Sequence, residues 1–234
     1  MYSIAIETST SVCSAALLHD AECLMFFVDR MGQNHARQLP LFVDDLLNEV
    51  RRQAISLDAV VLSQGPGSYT GLRIGTALAK GLCYGYGIPL IAVDTLQLMA
   101  CSALKKLGAI EQDCLLNPMI DARRMEVYEG LYDSTLQRVG DVEARIIDAE
   151  YADGIVAQRG CKKIFVFGNG SDKCKGVIDA DRVVFVDDIV PLASDTGRLA
   201  VEAYENKQFA DVAYFDPFYL KEFQATIAKN KVIS

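Results

Sequence analysis

Histidine is nearly missing from this chain. Of 234 residues only His19 and His35 carry an imidazole, and they fall in different predicted elements. A metal centre built on a histidine pair therefore lacks its parts, and so does a His-activated serine or cysteine nucleophile. Cys-x-x-Cys pairs are lacking as well. The seven cysteines, at 13, 23, 83, 101, 114, 161 and 174, are odd in number and several lie in apolar runs. That scatter excludes a disulfide framework or a zinc ribbon and predicts buried free thiols in a reducing cytoplasm. No uncharged apolar run reaches the ~18 residues a membrane span needs. The opening MYSIAIETST enters a strand pattern without a basic leader, so no secretory signal is expected. Basic charge is short too. The formal net charge is −8, with six Lys and Arg against nine Asp and Glu in residues 1–104 and an acidic excess in the remainder. With no basic half to hold a phosphate backbone, the chain is not expected to bind nucleic acid alone.

What is present centres on residues 64–75, QGPGSYTGLRIG. The β-branched run Ala59-Val60-Val61-Leu62 leads in, and an alanine- and leucine-rich segment leads out, so the pattern is strand, glycine turn, helix. Gly65, Pro66 and Gly67 suit a tight turn, and Ser68 or Thr70 can cap the helix. Such a join gathers free N–H groups and resembles a phosphate cradle, but no Gly-Lys-Ser/Thr ending makes it a P-loop. The other reading is a structural turn ahead of a buried helix. Gly71, Gly75 and Ala79 form a row on one helical face, and Gly81 and Gly85 repeat the spacing. Each internal glycine costs about 1 kcal/mol relative to alanine, so the row implies a backbone approaching closely, from the same lobe or from a partner.

The element order reads βββαβαβα and then begins again. Strands are expected at 2–6, 12–18, 23–28, 58–63 and 88–93, with helices at 34–52, 70–85 and 95–106. The second set has strands at 118–121, 126–131, 136–146, 163–167 and 183–186, with helices at 148–158, 171–178 and 192–207. Two βββαβα copies describe an α/β, two-lobed actin-like fold (ASKHA, sugar-kinase/HSP70-like). Lobes are expected over 1–106 and 107–216, followed by a partly disordered tail over 217–234. In this architecture the first hairpin commonly holds phosphate. Here it reads Glu7-Thr8-Ser9-Thr10-Ser11, without the Asp and glycines a phosphotransferase usually places there.

The glycine segment resembles the signature of the TsaB (YeaZ) family. Further matches follow in order: Ile4-Ala5-Ile6-Glu7-Thr8-Ser9, Asn34-His35 through Leu39-Pro40, Asp121 through Tyr128, Gly168-Asn169-Gly170 and Pro217-Phe218-Tyr219-Leu220. The resemblance implies a cytoplasmic, non-catalytic scaffold for the threonylcarbamoyl modification of adenosine 37 in tRNA. Such a scaffold binds and activates a TsaD-like catalytic subunit, helps recruit a TsaE-like ATPase, forms a homodimer when alone, and meets tRNA only through the complex. TsaD-like proteins hold a metal on a His-x-x-x-His pair; alignment from the preceding strand puts Thr95 and Met99 at those places. Neither suits a catalytic metal.

By this resemblance the partner interface involves His35, Leu39, Phe42, Val43 and Leu46 on the first helix, and Gly71, Arg73, Gly75, Leu78 and Ala79 on the second. Packing of the first helix on its own sheet is the alternative. Arg73 anchors an anionic group or joins an ion pair. Glu7, Thr8, Ser9, Arg123, Gly168 and Gly170 are candidates for nucleotide or lobe-closing contacts, and the charged run from Asp121 to Glu126 reads equally as a solvated turn. No metal and no cofactor is expected for the isolated chain, with ATP or ADP the candidate at the partner interface. Two other classes remain: a small-molecule kinase or ATPase of the same architecture, and a peptidase, for which no nucleophile pair is apparent.

Overall fold

Two five-stranded sheets with the same internal order organise the described residues, which are 1–32, 34–178 and 181–221 of a computed structural model. The first sheet contains β1 (Tyr2–Glu7), β2 (Cys13–His19), β3 (Glu22–Asp29), β4 (Ala59–Ser63) and β5 (Leu90–Val93), in the order β3-β2-β1-β4-β5. The second contains β6 (Cys114–Asp121), β7 (Glu126–Glu129), β8 (Glu143–Ile146), β9 (Lys163–Phe167) and β10 (Val183–Val186), in the order β10-β9-β6-β7-β8. Each sheet joins an antiparallel meander to parallel strands at its centre. Five helices connect them: α1 (His35–Arg52), α2 (Tyr69–Tyr86), α3 (Thr95–Leu107), α4 (Tyr151–Arg159) and α5 (Gly197–Glu205). The duplicated order is that of the two-lobed actin-like α/β fold expected from the element pattern.

The central strands are apolar on both faces because both are covered. Ile4, Ile6, Val60 and Leu62 face the outer core under α1 and α2, while Ala5 and Val61 face an inner core between the two sheets. That inner core contains α3 and α5, and the helices are exchanged between the lobes: α3 packs on β6 and α5 packs on β5. Contacts therefore cross the expected boundary at 106. Beyond α5, Ala210 donates its N–H to the Leu90 carbonyl at 2.8 Å on the free edge of β5, and Val212 and Phe215 join the outer core of the first lobe. The expectation of disorder over 217–234 falls mainly on 222–234, outside the described residues. No helix among the described residues is long and apolar enough to cross a membrane.

Local signals decide where elements depart from the sequence pattern. Only Glu143–Ile146 of the expected strand 136–146 pairs as a strand, because Leu136 (φ 71°) and Gly140 (φ 98°) turn the chain before it. The strand expected from 118 begins at Cys114. In place of a helix over 171–178 there is one 3-10 turn, Asp172–Cys174. Asp148 accepts the Glu150 N–H at 3.2 Å, a local turn that delays α4 to Tyr151. Thr196 likewise donates its hydroxyl to the Ala193 carbonyl, holding a separate turn ahead of α5.

Candidate functional site

The glycine turn from Gln64 to Gly67 is enclosed by three other parts of the chain. Gly65 has φ 111°, open to glycine but strained for any other residue, and a Cβ there would lie 2.6 Å from the Phe218 carbonyl oxygen. At Gly67 a Cβ would lie 2.8 Å from that of Ser9. Three of the N–H groups around the turn are bonded within the chain. Gly65 donates to Thr95 Oγ1 at 3.0 Å, Ser68 donates to the Ser9 carbonyl at 2.6 Å, and Gly71 donates to Ser68 Oγ at 3.3 Å. Ser68 is thus the cap of α2.

The glycine row on α2 finds its close neighbour within the same lobe. Modelling a Cβ on Gly71 would drive it into the Thr8 carbonyl oxygen, and one on Gly75 into Thr8 Oγ1, with Leu62 also within 3.3 Å. Gly71 and Gly75 are buried beside Thr8 and Ala79 is buried in the outer core, so the row expected at a partner interface packs within its own lobe. Leu39, Val43 and Leu46 are likewise committed to the outer core, since α1 turns its wide apolar stripe onto the sheet. His35 is buried and its Nε2 lies 2.9 Å from the Thr10 carbonyl, so it pins the entry of α1. Phe42 is half-buried and stacks on Phe27 at 5.6 Å. Leu78 is half-buried beside the outer core. Arg73 is exposed, donates to the Tyr69 hydroxyl at 2.8 Å and holds its guanidinium 5.4 Å from that ring.

Open surface on α2 begins where that row ends. Nothing lies within 4 Å of a Cβ built at Gly81 or Gly85, and Tyr84 between them is 90 % exposed. Ala77 is exposed one turn earlier, and Leu41 of the neighbouring α1 is also exposed.

Glu7, Thr8 and Ser9 are sealed in the first lobe at the end of β1. Glu7 Oε1 accepts the Ser9 N–H at 2.5 Å and the Ser9 hydroxyl at 2.6 Å. Burial raises the Glu7 pKa, opposed by hydrogen bonds from Ser63 and Ser9. Thr95 Oγ1 lies 2.8 Å from Ser63 Oγ, and Met99 is fully buried against Gly168.

Between the lobes lies a cleft of about 1130 Å³, walled on one side by Ser9–Ser11 and Ser68–Gly71 and on the other by Asp121–Arg124, Tyr128 and Asn169. Arg123 and Arg124 form the tip of the β6–β7 turn with φ 72° and 54°, conformations that cost a non-glycine residue about 1 kcal/mol or more. Lys173 holds this turn. Its Nζ pairs with the Asp121 carboxylate and donates to the carbonyls of Arg124 and Glu126 at 2.8 and 2.7 Å. Gly168 (φ 101°) and Gly170 do not face the cleft as expected of nucleotide contacts. Both are glycine because the backbone of β6 passes against them: a Cβ on Gly170 would lie 2.8 Å from the Ile120 carbonyl carbon. Asn169 faces the cleft instead, accepting the Asp121 N–H at 3.1 Å.

Two residues in this site, Lys173 and Lys221, escape sequence reasoning, and the motif that contains Tyr219 does not show what it touches. Tyr219 lies over Tyr69 with ring centroids 4.9 Å apart, and Lys221 pairs with Glu126. Their partners are far away in sequence, so no spacing rule points to them.

Comparison with known proteins agrees with the motif pattern. The family model described as TsaD, tRNA N6-adenosine threonylcarbamoyltransferase, matches residues 29–173, more than half of the chain. A protein of Escherichia coli named "tRNA threonylcarbamoyladenosine biosynthesis protein TsaB" is 29 % identical over 93 % of this chain and 94 % of its own length. Its namesake in Bacillus subtilis is 36 % identical over 55 % of this chain; that alignment spans about half of the relative, 54 %. Among solved structures, YeaZ from Pseudomonas aeruginosa superposes with a TM-score of 0.77 at 26 % identity, covering 94 % of this chain and 99 % of that one.

Proposed function

We propose a role from one premise: this chain belongs to the TsaD family, and within it to the TsaB (YeaZ) proteins. The role is that of a non-catalytic scaffold in the making of threonylcarbamoyladenosine in tRNA. It binds a TsaD-like catalytic subunit through the outer surface of α1 and α2, favours that subunit's active arrangement by binding it preferentially, and helps recruit a TsaE-like ATPase. Alone, the same surface pairs two copies of the chain about a two-fold axis. With a net charge of −8, tRNA is met through the complex rather than by this chain alone.

The observation that carries this reading is the pair Gly81 and Gly85. Gly71 and Gly75 are explained by Thr8, but no atom of the lobe comes near Gly81 or Gly85. Two exposed helical glycines cost about 1 kcal/mol each, and Tyr84 stands unburied between them. A second helix lying across them gives that cost a use. The partner surface is accordingly the exposed Ala77, Gly81, Tyr84 and Leu41 with the half-buried Phe42 and Leu78, rather than the buried row first expected.

Two further features favour a scaffold over a kinase. Glu7, the carboxylate at the end of β1, is buried and bonded to Ser9 rather than presented in the cleft. Thr95 Oγ1 is engaged with Ser63 and Gly65, and Met99 fills the space beside Gly168. ATP or ADP, where it is used, belongs to the interface with the catalytic partner.

The test is sedimentation of the chain alone and with the TsaD-like protein of the same organism. A homodimer that exchanges for a heterodimer is expected. Gly81→Glu should abolish both assemblies while leaving the circular dichroism spectrum of a folded chain, and its melting temperature should lose the concentration dependence that the homodimer gives the parent chain. A stable monomer that ignores the partner would overturn the reading.

A further inference from the structure

We infer that residues 217–221 act as a latch across the cleft, anchored on the first lobe and closing on the second. The inference concerns the isolated chain and stands apart from the scaffold role. The anchor is tight. Pro217 is buried, the Phe218 N–H donates to the Gln64 carbonyl at 2.8 Å, and the Phe218 carbonyl fills the space that Gly65 leaves open. Tyr219 then lies on Tyr69, whose hydroxyl accepts from Arg73. Two residues later Lys221 reaches the carboxylate of Glu126 at the start of β7, in the opposite lobe. Residues 218–221 line the cleft throughout this path.

The lobes are joined away from the cleft. Tyr132 donates to Asp94 at 3.0 Å and Gln97 donates to the Leu136 carbonyl at 3.1 Å, both beside the α3–β6 packing and neither lining the cleft. A fixed joint away from the cleft and, among the described residues, the one ion pair that crosses it are the two parts a closing device requires. The ion pair is of the weak kind. Both groups are partly solvated, 39 % and 25 % exposed, and such pairs contribute little to stability. The anchor stays while the pair opens, so release costs little and is reversible. Opening frees Glu126 and the strained Arg123–Arg124 turn from the first lobe, leaving Lys173 as their remaining tether.

Amide hydrogen exchange on the full chain tests the latch. Lys221→Glu should speed exchange both in 218–221 and in the Ala122–Glu126 turn by about fivefold, with no change in melting temperature. The charge swap Lys221→Glu with Glu126→Lys should restore the wild-type rates. On the unmodified chain, 1 M salt should reproduce the Lys221→Glu pattern, because the Debye length falls to about 3 Å. Faster exchange in 218–221 with the 122–126 turn unaffected would overturn the latch. So would a charge swap that fails to restore, or indifference to salt.

Discussion

Tyr132, from the second lobe, donates its hydroxyl to the same Asp94 oxygen that caps α3. The two bonds measure 3.0 Å from Tyr132 and 2.9 Å from the Gln97 N–H. One carboxylate thus starts the helix that crosses between the lobes and fastens it to the lobe it enters. Tyr132→Phe should cost about 1–2 kcal/mol in urea unfolding, and Asp94→Ala about 2–3 kcal/mol because the cap is lost as well. The double variant should show coupling of about 1 kcal/mol; strict additivity would mean that the two groups act separately.

The glycines of α2 should divide into two classes. Gly71→Ala and Gly75→Ala force Thr8 and the end of β1 to move, a loss of about 2 kcal/mol or more. At Gly81 and Gly85 the added methyl meets nothing within the chain, so alanine should stabilise the monomer, measured at a concentration too low for pairing, by roughly 0.4–1 kcal/mol. Chemical denaturation of the four single variants checks the division, and equal effects at all four positions would refute it.

Glu7 makes stability depend on pH in a direction its burial sets. Its carboxyl holds a proton to higher pH in the folded chain than in the unfolded one. The contribution is therefore complete below the unfolded pKa near 4.5 and is lost as pH rises through the raised folded value. Glu7→Gln removes that loss while keeping an oxygen for Ser9. Thermal melts should show the advantage of Gln over Glu growing as pH rises from about 4.5, then levelling once the folded carboxyl is ionised. An advantage that shrinks with rising pH would mean the charged form is the favoured one.

Lys173 and the arginine turn should respond oppositely to substitution. Lys173→Ala removes three contacts from the β6–β7 turn and should destabilise by about 1–3 kcal/mol. Arg123→Gly relieves a positive φ and should stabilise by up to about 1 kcal/mol. Differential scanning calorimetry on both variants would register the two signs; a loss on Arg123→Gly would show that its side chain contributes more than its backbone strain costs.

Residues 59–86 were legible in the sequence because every signal there is local. The β-branched run, the glycine turn, the Ser68 cap and the helical spacing each act within a few residues. The repeat of element order was legible for the same reason, strand by strand. Spacing could show that Gly71 and Gly75 meet something closely, but not that Thr8 is what they meet. Likewise nothing near Gly65 announces the Phe218 carbonyl, and nothing near Glu126 announces Lys173 or Lys221. In the candidate site, the motif residues were found, yet most of them proved to be packing positions. Asn169 and Tyr219 stand in quoted motifs, but their contacts, like Lys173 and Lys221 themselves, depend on chain crossings that no local pattern records.

The bond from Ala210 to Leu90, with Val212 and Phe215 beside it, has a consequence for how the chain comes into being. Residues that leave the ribosome early build the first sheet, but residues that leave it late cover its β5 edge and complete its outer core. The helix that packs on β5 is late as well. A nascent chain that has emerged only as far as α3 carries a bare strand edge and a half-covered apolar face, the features that invite misassociation. Neither lobe can mature ahead of the other, so synthesis must pass Phe215 before either is safe.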